Sequence, residues 1–272
     1  MGLTPETFSS NSQPMELTLQ NKLKRLAGVS LISVLAACGG GGGGGDNDVD
    51  IEGGYEATSS DGSSGSVLVL EDGTAWSIVG TESGEVLVVE ALYRGPLSVS
   101  GSDVTSSTLR RYDFETGGTL TGVGFSGRAA NSGVITATLT AAGFDPVNTE
   151  LTPIAPAVYN YDTAATVAAI AGTWSGFFST GDDGDVVISS GGVVSSVTSD
   201  GCTISGTVVP RASGKNVYDV TVNFGPAPCA LPNGTGSGIA IIASPASAPQ
   251  LTVAVVNPDG SAGAVFFGTP EL

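Results

Sequence analysis

The groups in this chain that could do chemistry are three cysteines, Cys38, Cys202 and Cys229, and 26 carboxylates set against nine basic residues. There is no histidine, which removes the commonest general base and the commonest zinc ligand. Past Cys38 the one lysine is Lys215, so a serine–lysine dyad would have a single candidate base. No G-x-S-x-G elbow, phosphate-binding loop or spaced set of metal ligands occurs. The Asp-Thr-Gly or Asp-Ser-Gly pair of an aspartic protease is also missing. Paired carboxylates are left as a route to hydrolysis, as in glycosidases. Five of the aspartates, however, stand in Asp-Gly dipeptides, where the aspartate is expected to shape a turn. The sequence therefore predicts no catalytic residue, no metal site, no cofactor and no enzyme.

Three smaller features carry two readings each, and a fourth carries one. Asp46, Asp48 and Asp50 alternate as at the start of an EF-hand loop, but Ile51 and Ala57 stand where glycine and glutamate are required, which favours a solvated linker. Asp182, Asp183 and Asp185 surround Gly184 as either a weak calcium loop or a charged turn. Tyr55 and Trp174 could form a ligand platform or plug a barrel end. The adjacent pair Arg110-Arg111 is expected on a wet strand face.

Lys22, Lys24 and Arg25 precede an apolar run from Leu26 to Ala37. A helix of that length rises about 18 Å, short of the roughly 30 Å of a bilayer core. It reads as a removable signal peptide over 1–37, with Met15 as a start that would give a more usual length. The run ends in Leu35-Ala36-Ala37-Cys38, followed by Gly39 to Gly45. This stretch resembles the lipobox of bacterial lipoproteins. The resemblance implies diacylglyceryl attachment to the Cys38 sulfur, cleavage before it and acylation of the freed amine. One acyl chain anchors weakly and reversibly; two or three hold firmly. Glycine rather than aspartate after the cysteine implies sorting to the outer membrane.

An exported chain meets an oxidising compartment, so Cys202 and Cys229 are predicted to pair. The net charge is −17. Three basic and two acidic residues precede Cys38, which leaves 6 basic against 24 acidic residues in the mature part. Such a surface repels nucleic acid and anionic headgroups. The expected partners are the membrane, through the lipid anchor, and a cationic protein or a glycan.

The elements that must position these groups are strands. Residues 38–52 read as a glycine-rich charged tether. From residue 53 onward, short Val- and Thr-rich stretches alternate with Asp61-Gly62, Asp72-Gly73, Asp183-Gly184, Asp200-Gly201, Asn233-Gly234 and Asp259-Gly260, which fit type I′ hairpin turns. Tyr218, Val220, Val222 and Phe224 show the period of two that buries one face. Gly53-Gly54-Tyr55 matches Gly172-Thr173-Trp174 at an offset of 119, and the match continues to Gly73 and Gly192. Asp162 is expected to cap a helix over 163–171. The second copy divides into eight strands, and a hairpin turning near Ser213 would set Cys202 opposite Phe224. The first copy is less regular between Tyr93 and Asp113.

The predicted fold is all-β. It comprises two tandem antiparallel up-and-down barrels of about eight strands each, over 53–156 and 157–272, with one short connecting helix and a disordered lipidated tether. With Leu35-Ala36-Ala37-Cys38, the glycine run and Ala171-Gly172-Thr173-Trp174-Ser175-Gly176, the chain resembles Gram-negative lipoproteins that carry small soluble β-barrels. Transferrin-binding and factor-H-binding surface lipoproteins share that tethered plan. The expected role is a non-enzymatic binding or structural module of the outer membrane. The alternatives are an inhibitor of a cationic enzyme and a carboxylate-dependent hydrolase.

Overall fold

The computed structural model describes residues 48–83, 86–229, 231, 233–245 and 248–271. The leader, Leu35-Ala36-Ala37-Cys38 and the glycine run lie outside the described residues.

The first barrel comprises β1 (Gly53–Ser59), β2 (Ser64–Val69), β3 (Thr74–Ser83), β4 (Val86–Pro96), β5 (Ser98–Ser100), β6 (Asp103–Asp113), β7 (Thr119–Ala129), β8 (Ile135–Thr140) and β9 (Val147–Pro153). Eight of these form a ring, closed by β1 against β9 and by β4 against β6. β4 pairs with the far half of β6, and β5 takes up the near half after the break at Pro96. Register shifts interrupt β6 against β7 near Ser106 and Leu109. This broken pairing is the irregularity the sequence hints at between Tyr93 and Asp113.

The second barrel is a regular meander of β10 (Gly172–Phe178), β11 (Asp183–Ile188), β12 (Val193–Thr198), β13 (Thr203–Pro210), β14 (Tyr218–Phe224), β15 (Thr235–Ala243), β16 (Gln250–Val256) and β17 (Gly263–Pro270), closed by β10 against β17. Closure removes the exposed edges that make small sheets aggregate. The two barrels share registers. Gly53 faces Val69 as Gly172 faces Ile188, and Tyr55 faces Pro153 as Trp174 faces Pro270.

Four local expectations are corrected. The Asp-Gly turns are not type I′, which needs positive φ at both central residues. In Asp61-Gly62, Asp72-Gly73, Asp200-Gly201 and Asp259-Gly260 only the glycine is left-handed, at φ 88°, 76°, 94° and 67°. Each aspartate instead accepts the N–H two residues on, from Ser63, Thr74, Cys202 and Ser261. Asn233 itself takes positive φ, at 56°, and Asp183-Gly184 lies inside β11.

The helix is the second correction. It is one turn, α1 (Val167–Ile170), with Thr166 at its N-cap and no side-chain cap bond. Asp162 is engaged elsewhere, by Lys215 at 2.8 Å. Tyr218 donates to the Thr166 carbonyl at 2.8 Å, and the Ala165 N–H to that of Lys215 at 3.2 Å. These bonds hold the preceding residues extended along the second barrel.

Third, the body begins before residue 53. Val49 donates to the Gly101 carbonyl at 2.9 Å, and Ile51 is buried inside the first barrel. Asp48 and Asp50 accept N–H groups of Gly101 and Glu52, so these carboxylates shape local backbone rather than a calcium loop.

Fourth, Ile204 rather than Cys202 faces Phe224, because the 211–217 loop centres one residue later than Ser213. The disulfide forms nonetheless between Cys202 and Cys229, with Cα atoms 4.5 Å apart. It pins the 225–234 loop to the start of β13.

Each barrel has its own core, and a third cluster lies between them. There Leu68, Trp76, Leu92 and Tyr112 of the first barrel meet Ile239, Ala254, Val256 and Val265 of the second. Tyr159 and Tyr161 of the connector complete it. The two barrels therefore pack as one body.

Candidate functional site

The second barrel encloses a cavity of about 60 Å³. Its walls are the inward residues of nearly every strand, among them Val186, Val194, Ile204, Val220 and Val255. Phe178, Phe224 and Phe266 stand toward one end, with the rings of Phe178 and Phe266 4.8 Å apart. The one polar side chain in the wall is Ser196, whose Oγ is buried with no hydrogen-bond partner among the described residues. The sequence reading missed Ser196. The inward parity of β12 (Val194, Ser196, Thr198) was the available signal, since a hydroxyl in that register must face the core. A cavity this small and apolar suits a xenon-sized guest rather than a substrate. Replacing Ser196 with valine removes an unsatisfied hydroxyl and adds methyl groups beside open space. Ser196→Val is expected to stabilise the protein by about 1 kcal/mol, read as a rise in the urea midpoint with an unchanged slope.

Tyr55 and Trp174 do not form a surface platform. Both are buried, and each closes its barrel by the same device. The Tyr55 hydroxyl donates to the Ile51 carbonyl at 2.8 Å, and Trp174 Nε1 donates to the Ile170 carbonyl at 2.8 Å. In both cases an isoleucine four residues upstream is drawn in as a stopper, exposed by 6% at Ile51 and 0% at Ile170. Burial, with help from the Asp50 charge, pushes the Tyr55 hydroxyl up to about 12.

A second concavity, of about 500 Å³, opens on the outside of the first barrel. Thr58, Ser126, Thr136, Thr138 and Asn148 line it, with Glu150 as its one carboxylate. Among the described residues neither concavity brings two carboxylates together. Among the described residues no group of three or more His, Cys, Asp or Glu could hold a metal ion. Asp182 and Asp185 accept from Thr180 and Ser175 instead of converging. No helix among the described residues is long and apolar enough to cross a membrane.

The strongest electrostatics lie between the barrels. Arg211 reaches Glu71 at 2.7 Å, Asp72 at 2.9 Å and Asp219 at 2.7 Å. Tyr161 donates to Glu71, and Lys215 ties Glu52 to Asp162. Arg110 also belongs here. It donates to the Asp259 and Gly260 carbonyls of the second barrel rather than facing solvent as the sequence suggests. Arg111 pairs with Asp113 at 2.8 Å and lies over the Tyr93 ring.

Burial raises the Glu71 and Asp72 carboxyls. Hydrogen bonds from Arg211 and Tyr161 to Glu71, and from Thr74 and Arg211 to Asp72, outweigh that and leave both below the ordinary value. A depressed carboxyl contributes stability above its unfolded pKa of about 4 and loses it as pH falls through the folded value. Thermal stability is therefore expected to decline below about pH 4, and Arg211→Ala should flatten that decline. Melting curves of both proteins across the acid range check this.

The chain matches no family model. No curated protein matches it either. Among solved structures it is similar to a protein of unknown function from the DUF3598 family of Nostoc punctiforme PCC 73102. The identity is 14%, over 80% of this chain and 94% of that one, with a TM-score of 0.23.

Proposed function

We propose that this protein is a lipid-anchored module of a bacterial outer membrane that works by binding or by architecture and not by catalysis. The observation that carries the reading is Leu35-Ala36-Ala37-Cys38 placed ten residues ahead of Asp48, where the described body starts. Ten residues reach at most about 35 Å, so acylated Cys38 would hold the two barrels close to the bilayer. The reading is supported by how the charges are used. Arg211, Lys215, Glu71 and Asp72 join one barrel to the other, and the cavity wall holds no titratable group among the described residues. Labelling native cells with a palmitate analogue tests the proposal. The protein should carry label in the outer-membrane fraction, and Cys38→Ser should lose both label and membrane association. An unlabelled native protein in the cytosolic fraction overturns it.

A cationic protein as partner is the second reading. It is favoured by the far end of the second barrel, where the turn before β11 and the turn before β13 lie side by side. There the Ser199 N–H donates to the Asp183 carbonyl at 2.7 Å. Asp182 and Asp200 stand on those turns, and Asp183 opens β11 beside them. Binding to lysozyme at low salt that is lost in Asp182→Asn/Asp183→Asn would support this reading, and no binding would remove it.

A further inference from the structure

The interface between the barrels uses one face of each. The first barrel contributes the outer side of β2 and β3, with Leu68 beside Trp76 and with Ile78, exposed by 4%, 5% and 6%. The second contributes the outer side of β15 to β17, where Ile239, Ala254 and Val265 run in register across three strands. These three are exposed by 7%, 2% and 1%.

The shared registers locate the same two faces on the other barrel, and there both are uncovered. At the offset of 119, Leu68, Trp76 and Ile78 correspond to Val187, Ser195 and Val197, with the same cross-strand partners. Val187 and Val197 are exposed by 42% and 61%, and Val193 beside them by 58%. On β12 and β13 the outer residues of this face carry no charge, while on β11 Asp185 lies directly across from Val197. Counting inward from the paired prolines Pro153 and Pro270, Ile239, Ala254 and Val265 correspond to Ser126, Thr138 and Asn148. Those three line the open groove of about 500 Å³ on the first barrel.

We propose that a second copy of this chain is the occupant of both faces. The Val187–Val193–Val197 face of one copy docks in the Ser126–Thr138–Asn148 groove of the next, repeating between molecules the contact that joins the barrels within one. Two arguments select this partner. The two free faces are the structural equivalents of a pair that already fit each other. The groove is concave where the valine face is a convex barrel wall. The contact is heterologous, so it propagates head to tail instead of closing as a two-fold dimer. It is weak, because valine and serine replace leucine and tryptophan on one side and a hydroxyl and an amide replace isoleucine and valine on the other.

The test uses the full chain carrying Cys38→Ser, so that no acyl group contributes and the outcome is independent of the anchor. Sedimentation velocity from micromolar to millimolar protein should show an average mass that rises past dimer, and more steeply at high salt, which screens the net repulsion. Val197→Asp on the face and Thr136→Asp in the groove should each abolish the rise with unchanged circular dichroism and melting. Mixing the two variants should restore a one-to-one dimer and nothing larger, since each keeps one intact face. Mass that stays monomeric throughout overturns the proposal. So does a dimer indifferent to Thr136→Asp, which would be isologous through the valine face.

Discussion

Trp76→Ala is expected to uncouple the two barrels. Trp76 is buried in the cluster between them and packs beneath the Arg94 guanidinium, 4.9 Å from its ring centre. Truncating a buried tryptophan costs about 3–5 kcal/mol. Here the loss falls on the contact between barrels rather than within either one, because the interiors are separate clusters. The native protein is expected to melt in one transition, and in the variant this should split into two, with the irregular first barrel unfolding at the lower temperature. Calorimetry reads this directly. A single transition moved downward would mean that neither barrel is stable without the other.

That prediction could not have been made from the chain alone. The alternation in β14 and the turn residues around it place the second barrel's strands almost to the residue, because each strand has one wet and one buried face. The first barrel was harder to read because its outer face is also apolar. Leu68, Trp76 and Ile78 are buried by the other barrel, and that masks the period of two. Arg211 gives no signal at all in sequence. Its three carboxylates come from a neighbouring turn of the first barrel and from the paired strand β14, and only the closed fold brings them within reach. The predicted helix is shortened to a single turn for a related reason. An alanine-rich stretch is a weak preference, and Tyr218 and Lys215 offer its backbone other partners. Apart from Asp183-Gly184, which lies inside β11, the Asp-Gly dipeptides stand at turns but with another geometry than type I′, since dipeptide identity marks a reversal but not how many residues close it.

Trp174→Ala is expected to cost more than any other single truncation in the second barrel. It removes the ring that fills one barrel end, worth about 3–5 kcal/mol, and leaves the Ile170 carbonyl without its donor. Ile170 is fully buried against the same cavity wall, so loss of that bond also frees the stopper. Trp174→Phe separates the two contributions. It keeps most of the ring and deletes only the N–H, and should cost about 1–2 kcal/mol. Tyr55→Phe is the matched change in the first barrel and should cost a similar amount through the Ile51 carbonyl. Urea unfolding of the three variants reads these values. A ligand platform would behave in the opposite way, with Trp174→Ala leaving stability intact and removing binding. The matched geometry of Tyr55 and Trp174, each holding the isoleucine four residues upstream, is what makes the stability loss the expected result.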